Sequence, residues 1–301
     1  MIIYLKNTEI DRVHWDTCLK NAGVGKPYPY SWYLDIMAPG WEALIDDDYD
    51  SLFPVPAKEF LGLKFTCTPV FVQQLGAYSP DKPAPSALTE FLDYMPEIFR
   101  LTDLRIGQKT DYPGYWIREK QNYVINLSYP YGTLADRFTH DCRRILAAGT
   151  RKKVMVVSDI SPAEMTDLCI TNRKLSGLHA RRDDYEKLGK LMKYCLKTKK
   201  GKILGVRTYG KKLIYGIFII FIHGSITVIA EGHTPRSIER NLSCMVINAI
   251  IKEHSASMKL LDLAGASQKS AIPAGIMFGG MAIPYYRICR NRILWPFRHM
   301  T

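Results

Sequence analysis

The chain has 301 residues, of which 47% are hydrophobic and 23% are charged, and its formal net charge is +12 at pH 7. This length suits two domains or one large domain, and the hydrophobic content excludes disorder as the global state. The glycine and proline counts, 21 and 17, are close to average usage, which excludes a collagen-like or low-complexity chain.

The charge is distributed unevenly along the chain. Residues 1–127 carry 12 Lys and Arg against 17 Asp and Glu, a net charge of −5, whereas residues 128–301 carry 29 against 12, a net charge of +17. A split this steep predicts that the second half faces an anion such as a phosphorylated cofactor, RNA or lipid headgroups. The alternative is a lysine-rich surface that contacts only water.

The sequence shows neither a targeting signal nor a metal motif. Residues 1–16 include acidic residues too early for a signal peptide, and the apolar run 213–230 is broken at His223 and Gly224 before it could span a bilayer as a helix. The seven cysteines are scattered and form no CxxC pair, which argues against zinc ribbons and disulfide frameworks. We therefore expect a cytoplasmic protein with no metal site and no membrane span.

The hydrophobic patterns of the first half predict six strands and two helices. The strands are 1–5, 41–45, 51–56, 61–71, 103–107 and 122–127, and the helices are 8–21 and 84–99. An aromatic loop is predicted at 27–33. The acidic run 46–50 is predicted to form a hairpin turn, because no second ligand cluster accompanies it as a metal site would require.

The second half begins with a basic helix, 131–148, and then repeats a similar order. Its predicted strands are 154–158, 203–209, 213–222, 225–231, 259–263 and 283–289. Its further predicted helices are 161–175, 183–197, 238–254 and 271–278. Ser161-Pro-Ala-Glu164 has the pattern of a capping box with proline at the first helical position.

Both halves contain three antiparallel strands, then a helix, then further strands. Doubly wound and TIM-barrel folds need strict alternation of strand and helix, so the order excludes both. It predicts an α/β protein with mixed sheets and an internal duplication. The predicted bounds are an N-terminal unit at 1–127, a basic connecting helix at 128–149 and a C-terminal unit at 150–301.

The element order of residues 150–290 resembles the GNAT acyltransferase fold, and two such units in tandem resemble the FemABX-type transferases. Over nearly its whole length the chain is also similar to a group of uncharacterised GNAT-like proteins from Bacteroidetes. The similar stretches are Tyr30-Ser-Trp-Tyr-Leu-Asp35, Pro39-Gly-Trp-Glu-Ala-Leu44, Gln73-Gln-Leu-Gly76, Asn122-Tyr-Val and Pro284-Tyr-Tyr-Arg-Ile. The resemblance implies two tandem GNAT-like (acyl-CoA N-acyltransferase) units.

The resemblance also implies acyl transfer. GNAT enzymes take the acyl group from acyl-CoA, and FemABX-type transferases take an amino acid from aminoacyl-tRNA and add it to peptidoglycan precursors. We therefore expect an acyl- or aminoacyl-transferase that uses acyl-CoA or charged tRNA as co-substrate, with no tightly bound cofactor. Its acceptor would be an amine of a small molecule or a peptidoglycan-type precursor. A degenerate, non-catalytic binding protein is the alternative.

Two stretches depart from the pattern that the resemblance implies. GNAT enzymes hold the donor's pyrophosphate with a Gln/Arg-x-x-Gly-x-Gly/Ala segment at a helix N-terminus. Here the matching stretch, residues 231–241, reads EGHTPRSIERN and lacks the glycine spacing. After the penultimate strand the similar proteins read Asp-Phe-Glu-Gly-Ser, whereas this chain reads Asp262-Leu-Ala-Gly265-Ala and lacks the acidic side chain and the hydroxyl.

Acyl transfer to an amine needs a base that removes a proton and an acid that protonates the leaving group. Glu231 is the candidate base, and Tyr285 or Tyr286 is the candidate acid; the alternatives are a charge partner of a helix N-terminus and core residues. The candidate donor-binding residues are Gly232, His233, Arg236, Arg240 and Asn241. The candidate acceptor cleft contains Trp32, Tyr33, Gln73, Gln74 and Tyr78, with core packing as the alternative.

Overall fold

The structure is a computed structural model and describes residues 1–46, 48–82, 84–176, 179–264 and 273–293. Its contacts divide the chain into two compact units. Unit 1 comprises Met1–Gln121 and the C-terminal segment from Pro284, and unit 2 comprises Asn122–Ile283. The bounds predicted from the sequence differ from these, because they kept the last strand with the second half of the chain.

The strands of the described residues are, in chain order, β1 Ile2–Leu5, β2 Glu42–Asp46, β3 Ser51–Val55, β4 Ala57–Phe60, β5 Leu63–Cys67, β6 Phe99–Ile106, β7 Trp116–Asn126, β8 Gly201–Arg207, β9 Leu213–Ile222, β10 Ser225–His233, β11 Leu260–Asp262 and β12 Met281–Asn291. The helices are α1 Arg12–Asn21, α2 Ser31–Met37, α3 Ala84–Asp93, α4 Tyr131–Ala135, α5 His140–Arg151, α6 Pro162–Thr171, α7 Arg173–Ser176, α8 Arg182–Lys197, α9 Pro235–Glu239, α10 Leu242–His254 and α11 Ala274–Met277. None of these helices is long and apolar enough to cross a membrane.

Unit 1 contains two sheets. β1, β2 and β3 form an antiparallel three-stranded sheet, and β4, β5, β6 and β12 follow one another in the second, where β5 and β6 run parallel. Phe91 of α3 is buried in one cluster with Leu104 and Ile106 of β6. Because side chains alternate along a strand, this packing turns Asp103 and Arg105 to the opposite face of the sheet.

Unit 2 has the strand order β7-β11-β10-β9-β8, with helices on both faces. On one face, Val246 and Ile250 of α10 are buried in a cluster with Ile217 of β9 and Val228 of β10. On the other face, α6 packs on β9 and β10, and α8 packs on β8. This mixed α/β arrangement confirms the predicted fold class.

Three glycines lie side by side on the face that α6 covers. Gly205 of β8 pairs with Gly216 of β9, which pairs with Gly232 of β10. A Cβ atom on Gly216 would lie 2.5 Å from the sulfur of Met165, and one on Gly232 would lie 2.9 Å from Leu168. The glycine row therefore lets α6 lie closer to the sheet than larger residues would allow.

Several predicted elements are confirmed. β9 has the predicted bounds 213–222, and β1 and α8 each start one residue away from prediction. The capping box is also present, because the hydroxyl of Ser161 accepts from the N–H of Glu164 while the Glu164 carboxylate accepts from the Ser161 N–H.

Several predicted elements are wrong. The helix predicted over 161–175 is two helices, α6 and α7, and the helix predicted over 84–99 ends at Asp93 before β6 starts at Phe99. The helix predicted over 131–148 is two helices, because the side chain of Thr139 caps a new start at α5 by accepting from the N–H of Cys142. Residues 154–158 form no named strand, and the pairing described there is a bridge between Val157 and Gly205. The aromatic loop predicted at 27–33 contains the first turn of α2, whose N-cap is Tyr30.

Candidate active site

In unit 2, β10 extends well beyond its parallel neighbour β11. It pairs with β11 over Ser225–Thr227 and with β9 over the whole of Ser225–His233, and a bulge between Val228 and Ala230 marks the change. Within the described residues, the second half of β10 is therefore hydrogen-bonded along one edge. Ligands of open α/β sheets bind at the carboxyl ends of parallel strands, so this opening is the candidate active site.

A buried polar cluster lies at the end of β10. Tyr215 donates a 2.5 Å hydrogen bond to Oε1 of Glu231, and Oε2 of Glu231 is 3.2 Å from Nε2 of His233. The side chains of Glu231 and His233 are 3% and 6% exposed, and Tyr215 is fully buried. The cross-strand pair of His233 with Tyr215 places the three side chains on the face that α10 covers.

Tyr215 is a hydrogen-bond donor in this cluster. Burial, followed by the negative charge of Glu231, raises the pKa of Tyr215 well above its usual value, so the phenol stays protonated at neutral pH. In the first turn of α10, burial raises the pKa of Cys244 to about 11, with a further contribution from the charge of Glu231. The carboxylate thus faces the N-terminal turn of α10, where the helix dipole favours negative charge.

A second buried carboxylate ends β11. The amide of Asn122 on β7 donates a 2.7 Å hydrogen bond to Oδ1 of Asp262, and the N–H of Ala264 donates to the same oxygen at 3.0 Å. Both side chains are 4% exposed. Asp262 pairs with Thr227, the last β10 residue that β11 contacts, so it lies where the opening begins. Gly265, which follows in the predicted motif, lies outside the described residues.

The two arginines predicted to bind the donor both precede the start of α10. Arg236 and Arg240 are exposed, and the described residues give neither of them an ion-pair partner. Asn241 is exposed with a left-handed φ of +50°, which separates α9 from α10. The helix predicted from 238 therefore begins at Leu242.

The backbone before these arginines is less open than the predicted donor site requires. Gly232 packs against Leu168 of α6, and the N-terminus of α9 is capped by the hydroxyl of Thr234. Pro235 at the first position of α9 has no N–H to offer. Of the two helix starts that follow β10, α10 is thus the better placed to meet a phosphate.

The residues predicted to line an acceptor cleft belong to unit 1. Tyr33 is fully buried, and its hydroxyl donates to the carbonyl of Phe71 at 2.5 Å. Trp32 is half-buried against Tyr33, and Gln73 is 8% exposed. Gln74 packs over Gly107, and the backbone of Tyr78 pairs with that of Leu52. Core packing thus accounts for Tyr33, whereas Trp32, Gln74 and Tyr78 stay partly accessible.

The two predicted tyrosines of β12 point to opposite faces of the sheet of unit 1. Tyr286 is buried in the hydrophobic cluster that contains Ile106 and Ile288. Tyr285 lies on the other face, where its phenol is near Arg105. As alternation along the strand predicted, the two side chains face opposite sides, and Tyr285 is the one on the polar face.

Sequence reasoning missed two features of these units. Tyr215 lies in the apolar run of β9, and nothing next to it in the sequence marks it as a site residue. Its pairing with His233 becomes visible only in the structure. Arg105, Lys120 and Arg287 share a face of unit 1. The apolar neighbours of Arg105 and Arg287 were an available signal, whereas Lys120 stands between Glu119 and Gln121. In the described ranges, no group of three or more His, Cys, Asp or Glu side chains could hold a metal ion.

Comparison with known proteins identifies the fold. No family model matches the chain, and no curated protein is significantly similar to it in sequence. Among solved structures, FemX superposes with a TM-score of 0.61 at 9% identity, covering 96% of this chain and 97% of FemX. A conserved protein of unknown function from Bacteroides thetaiotaomicron VPI-5482 gives 0.57 at 11% identity, with 97% and 100% covered. L-PGS from Bacillus licheniformis gives 0.55 at 12%, with 94% and 92% covered.

The chain has a GNAT/FemABX-like fold. At 9–12% identity the likeness establishes the fold alone, and it extends over nearly the full length of each of these chains. It confirms the fold that the element order predicted.

Proposed function

We propose that this protein is an acyl- or aminoacyl-transferase that moves an acyl group from a phosphorylated donor, acyl-CoA or aminoacyl-tRNA, to an amine. The observation that carries the proposal is the buried carboxylate of Glu231 at the end of β10, beside the opening where β11 stops. A carboxylate fixed at a strand end of an acyltransferase-like fold suits proton removal from an amine nucleophile. The fold of FemX and L-PGS supports the same class of reaction.

In the proposed reaction Glu231 is the base. The acceptor arrives as an ammonium ion and must lose a proton before its nitrogen attacks the acyl carbonyl. Because Tyr215 and His233 already contact the two oxygens of Glu231, the proton reaches the carboxylate through a bound water. Of the two tyrosines predicted as the acid, Tyr286 packs in the core of unit 1 and is set aside.

The charge of unit 2 supports a phosphorylated donor. The unit carries 25 Lys and Arg against 12 Asp and Glu, a net charge of +13. Exposed Arg236 and Arg240 precede the N-terminus of α10, and guanidinium groups with helix N–H donors are a common means of binding phosphate. We propose that the donor's phosphates bind there.

One observation favours a second candidate, a non-catalytic binding protein. The side chain of Glu231 is only 3% exposed and is already hydrogen-bonded. A carboxylate enclosed in this way can serve stability alone. Such a protein would bind the donor but would not catalyse acyl transfer.

Thermal unfolding in the presence of CoA, acetyl-CoA or total tRNA tests donor binding. A ligand at 100 times its dissociation constant stabilises the folded protein by about 2.7 kcal/mol. We expect one of these donors to raise the midpoint at low ionic strength, and we expect Arg236→Gln with Arg240→Gln to reduce the rise. The charge-matched control, Lys190→Gln with Lys193→Gln on the exposed side of α8, should retain it. The proposed donor site is wrong if no donor shifts the midpoint or if both double variants behave alike.

A further inference from the structure

Four cationic side chains of β6, β7 and β12 share one face of the sheet of unit 1. Arg105 of β6 and Arg287 of β12 are directly opposite each other, so their side chains lie on the same face. The guanidinium of Arg287 is 5.9 Å from the ring of Trp116, which assigns that residue of β7 to this face as well. Alternation along β7 then adds Arg118 and Lys120. We call these four residues the cation face.

The cation face contains little negative charge. Asp103 binds Arg287 with two hydrogen bonds, of 2.7 and 2.5 Å. Glu119 interacts instead with Tyr286, which belongs to the opposite, core-facing side. On β6, β7 and β12 one carboxylate therefore faces four cations, which leaves a charge of +3 on these strands. Lys58 of β4, beside Cys67 on the same face, adds a further positive charge.

This arrangement costs stability when nothing is bound. Like charges opposite each other on neighbouring strands repel, and Arg105 faces Arg287. Burial lowers the pKa of half-buried Lys120, and the charges of Arg105 and Arg287 lower it further. Arg105 is held under the loop that follows β5, because it donates a 3.0 Å hydrogen bond to the carbonyl of Pro69. Repelling cations held together in this way mark a candidate site for an anion between them.

We propose that the cation face of unit 1 binds a phosphate or diphosphate group of a ligand. The charge of +3 matches the two or three negative charges of these groups better than the single charge of a carboxylate. Arginine guanidinium groups bind phosphate oxygens in pairs, and a lysine adds a point charge.

Calorimetric titration with inorganic pyrophosphate, at constant ionic strength in chloride, tests the site. The protein carries Arg236→Gln and Arg240→Gln in every titration, so that the proposed donor site in unit 2 contributes nothing. Adding Lys120→Gln should raise the dissociation constant about tenfold or more, because it removes a charged contact. The same substitution should raise the melting temperature of the ligand-free protein, because it relieves repulsion.

These opposite effects on binding and stability separate a ligand site from a structural role. The matched control is Lys20→Gln, which removes one exposed charge from α1 of the same unit and should change neither quantity. The proposal is overturned if Lys120→Gln binds pyrophosphate as the parent does, or if that variant melts at a lower temperature. Because no catalysis is measured, failure of the proposed function leaves this result intact.

A second arm identifies the source of the phosphate. Flotation with vesicles of phosphatidic acid in phosphatidylcholine presents a phosphate monoester as a lipid headgroup, and pyrophosphate presents the group free in solution. Binding to vesicles that Lys120→Gln abolishes would assign a lipid ligand, and binding to pyrophosphate alone would assign a soluble one. Failure of both probes would overturn the site.

Discussion

The hydrogen bond from Tyr215 stabilises the buried carboxylate of Glu231 in unit 2. Tyr215→Phe would remove the hydroxyl that donates to Oε1 of Glu231. Because the Glu231 side chain is only 3% exposed, water could not readily replace that hydrogen bond. Losing one partner of a buried bond costs about 1–3 kcal/mol, and more where the remaining group is charged. We expect urea unfolding to show a loss of that size. Tyr209→Phe is the control, because Tyr209 is fully exposed and its hydroxyl should contribute nothing.

A double-mutant cycle makes this prediction specific. Glu231→Gln removes the charge that Tyr215 stabilises, so the double variant should lose less stability than the two single losses added together. Residues in direct contact show coupling of about 0.5–3 kcal/mol. Strictly additive losses would mean that the two side chains do not interact in solution.

Alternation along a strand was enough to predict that Tyr285 and Tyr286 face opposite sides. The cluster of Tyr215 with Glu231 was not predictable in the same way. Tyr215 lies in β9 among apolar residues, and its proximity to Glu231 depends on the register between β9 and β10 and on the bulge after Val228. A shift of one residue would turn the side chains of one strand to the other face, and no local pattern in the sequence fixes that register.

At the scale of elements, the glycine row of β8, β9 and β10 sets how closely α6 approaches the sheet. A Cβ atom on Gly205 would overlap the carbonyl oxygen of Tyr215 and lie 2.8 Å from Ile160. Because a backbone atom cannot move aside, we expect Gly205→Ala to destabilise the protein by about 1–3 kcal/mol in urea unfolding. Gly132→Ala in α4 is the matched control, because no atom lies within 4 Å of its Cβ position.

The control should shift in the other direction. Alanine is favoured over glycine within a helix by up to about 1 kcal/mol, so Gly132→Ala should leave stability unchanged or raise it. Equal effects of the two substitutions would show that β8 tolerates a side chain at Gly205.

The stretches that carry the resemblance to GNAT-like proteins are largely core residues. Tyr33, Leu34 and Trp41 are fully buried, and Leu44 is 1% exposed. Trp41 also donates an indole hydrogen bond to Asp35 at 2.8 Å, which ties two of these stretches together. They therefore indicate a shared fold, and the candidate site residues lie instead at the ends of β10 and β11.

At the scale of the whole molecule, the order of strands and helices predicted the mixed α/β fold, which the likeness to FemX confirms. The sequence did not predict that β12, close to the C-terminus, pairs with β6 in unit 1. Pairing over such a distance along the chain leaves no local signal, because it depends on tertiary packing rather than on periodicity. The charge asymmetry remains in the structural units, since unit 2 keeps a net charge of +13.

The most direct test of the proposed function is a mass-spectrometric measurement of acyl transfer. Acetyl-CoA or total aminoacyl-tRNA is incubated with a panel of amines and the protein, and acylated amine is quantified over time. We expect transfer from one donor by the wild-type protein and by Glu239→Gln, an exposed control. Glu231→Gln should be slower by about 100-fold or more, in an assay run at a temperature where thermal unfolding shows the variant still folded. Transfer at the wild-type rate by Glu231→Gln, or no acylated amine from a wild-type protein that binds its donor, would contradict this account.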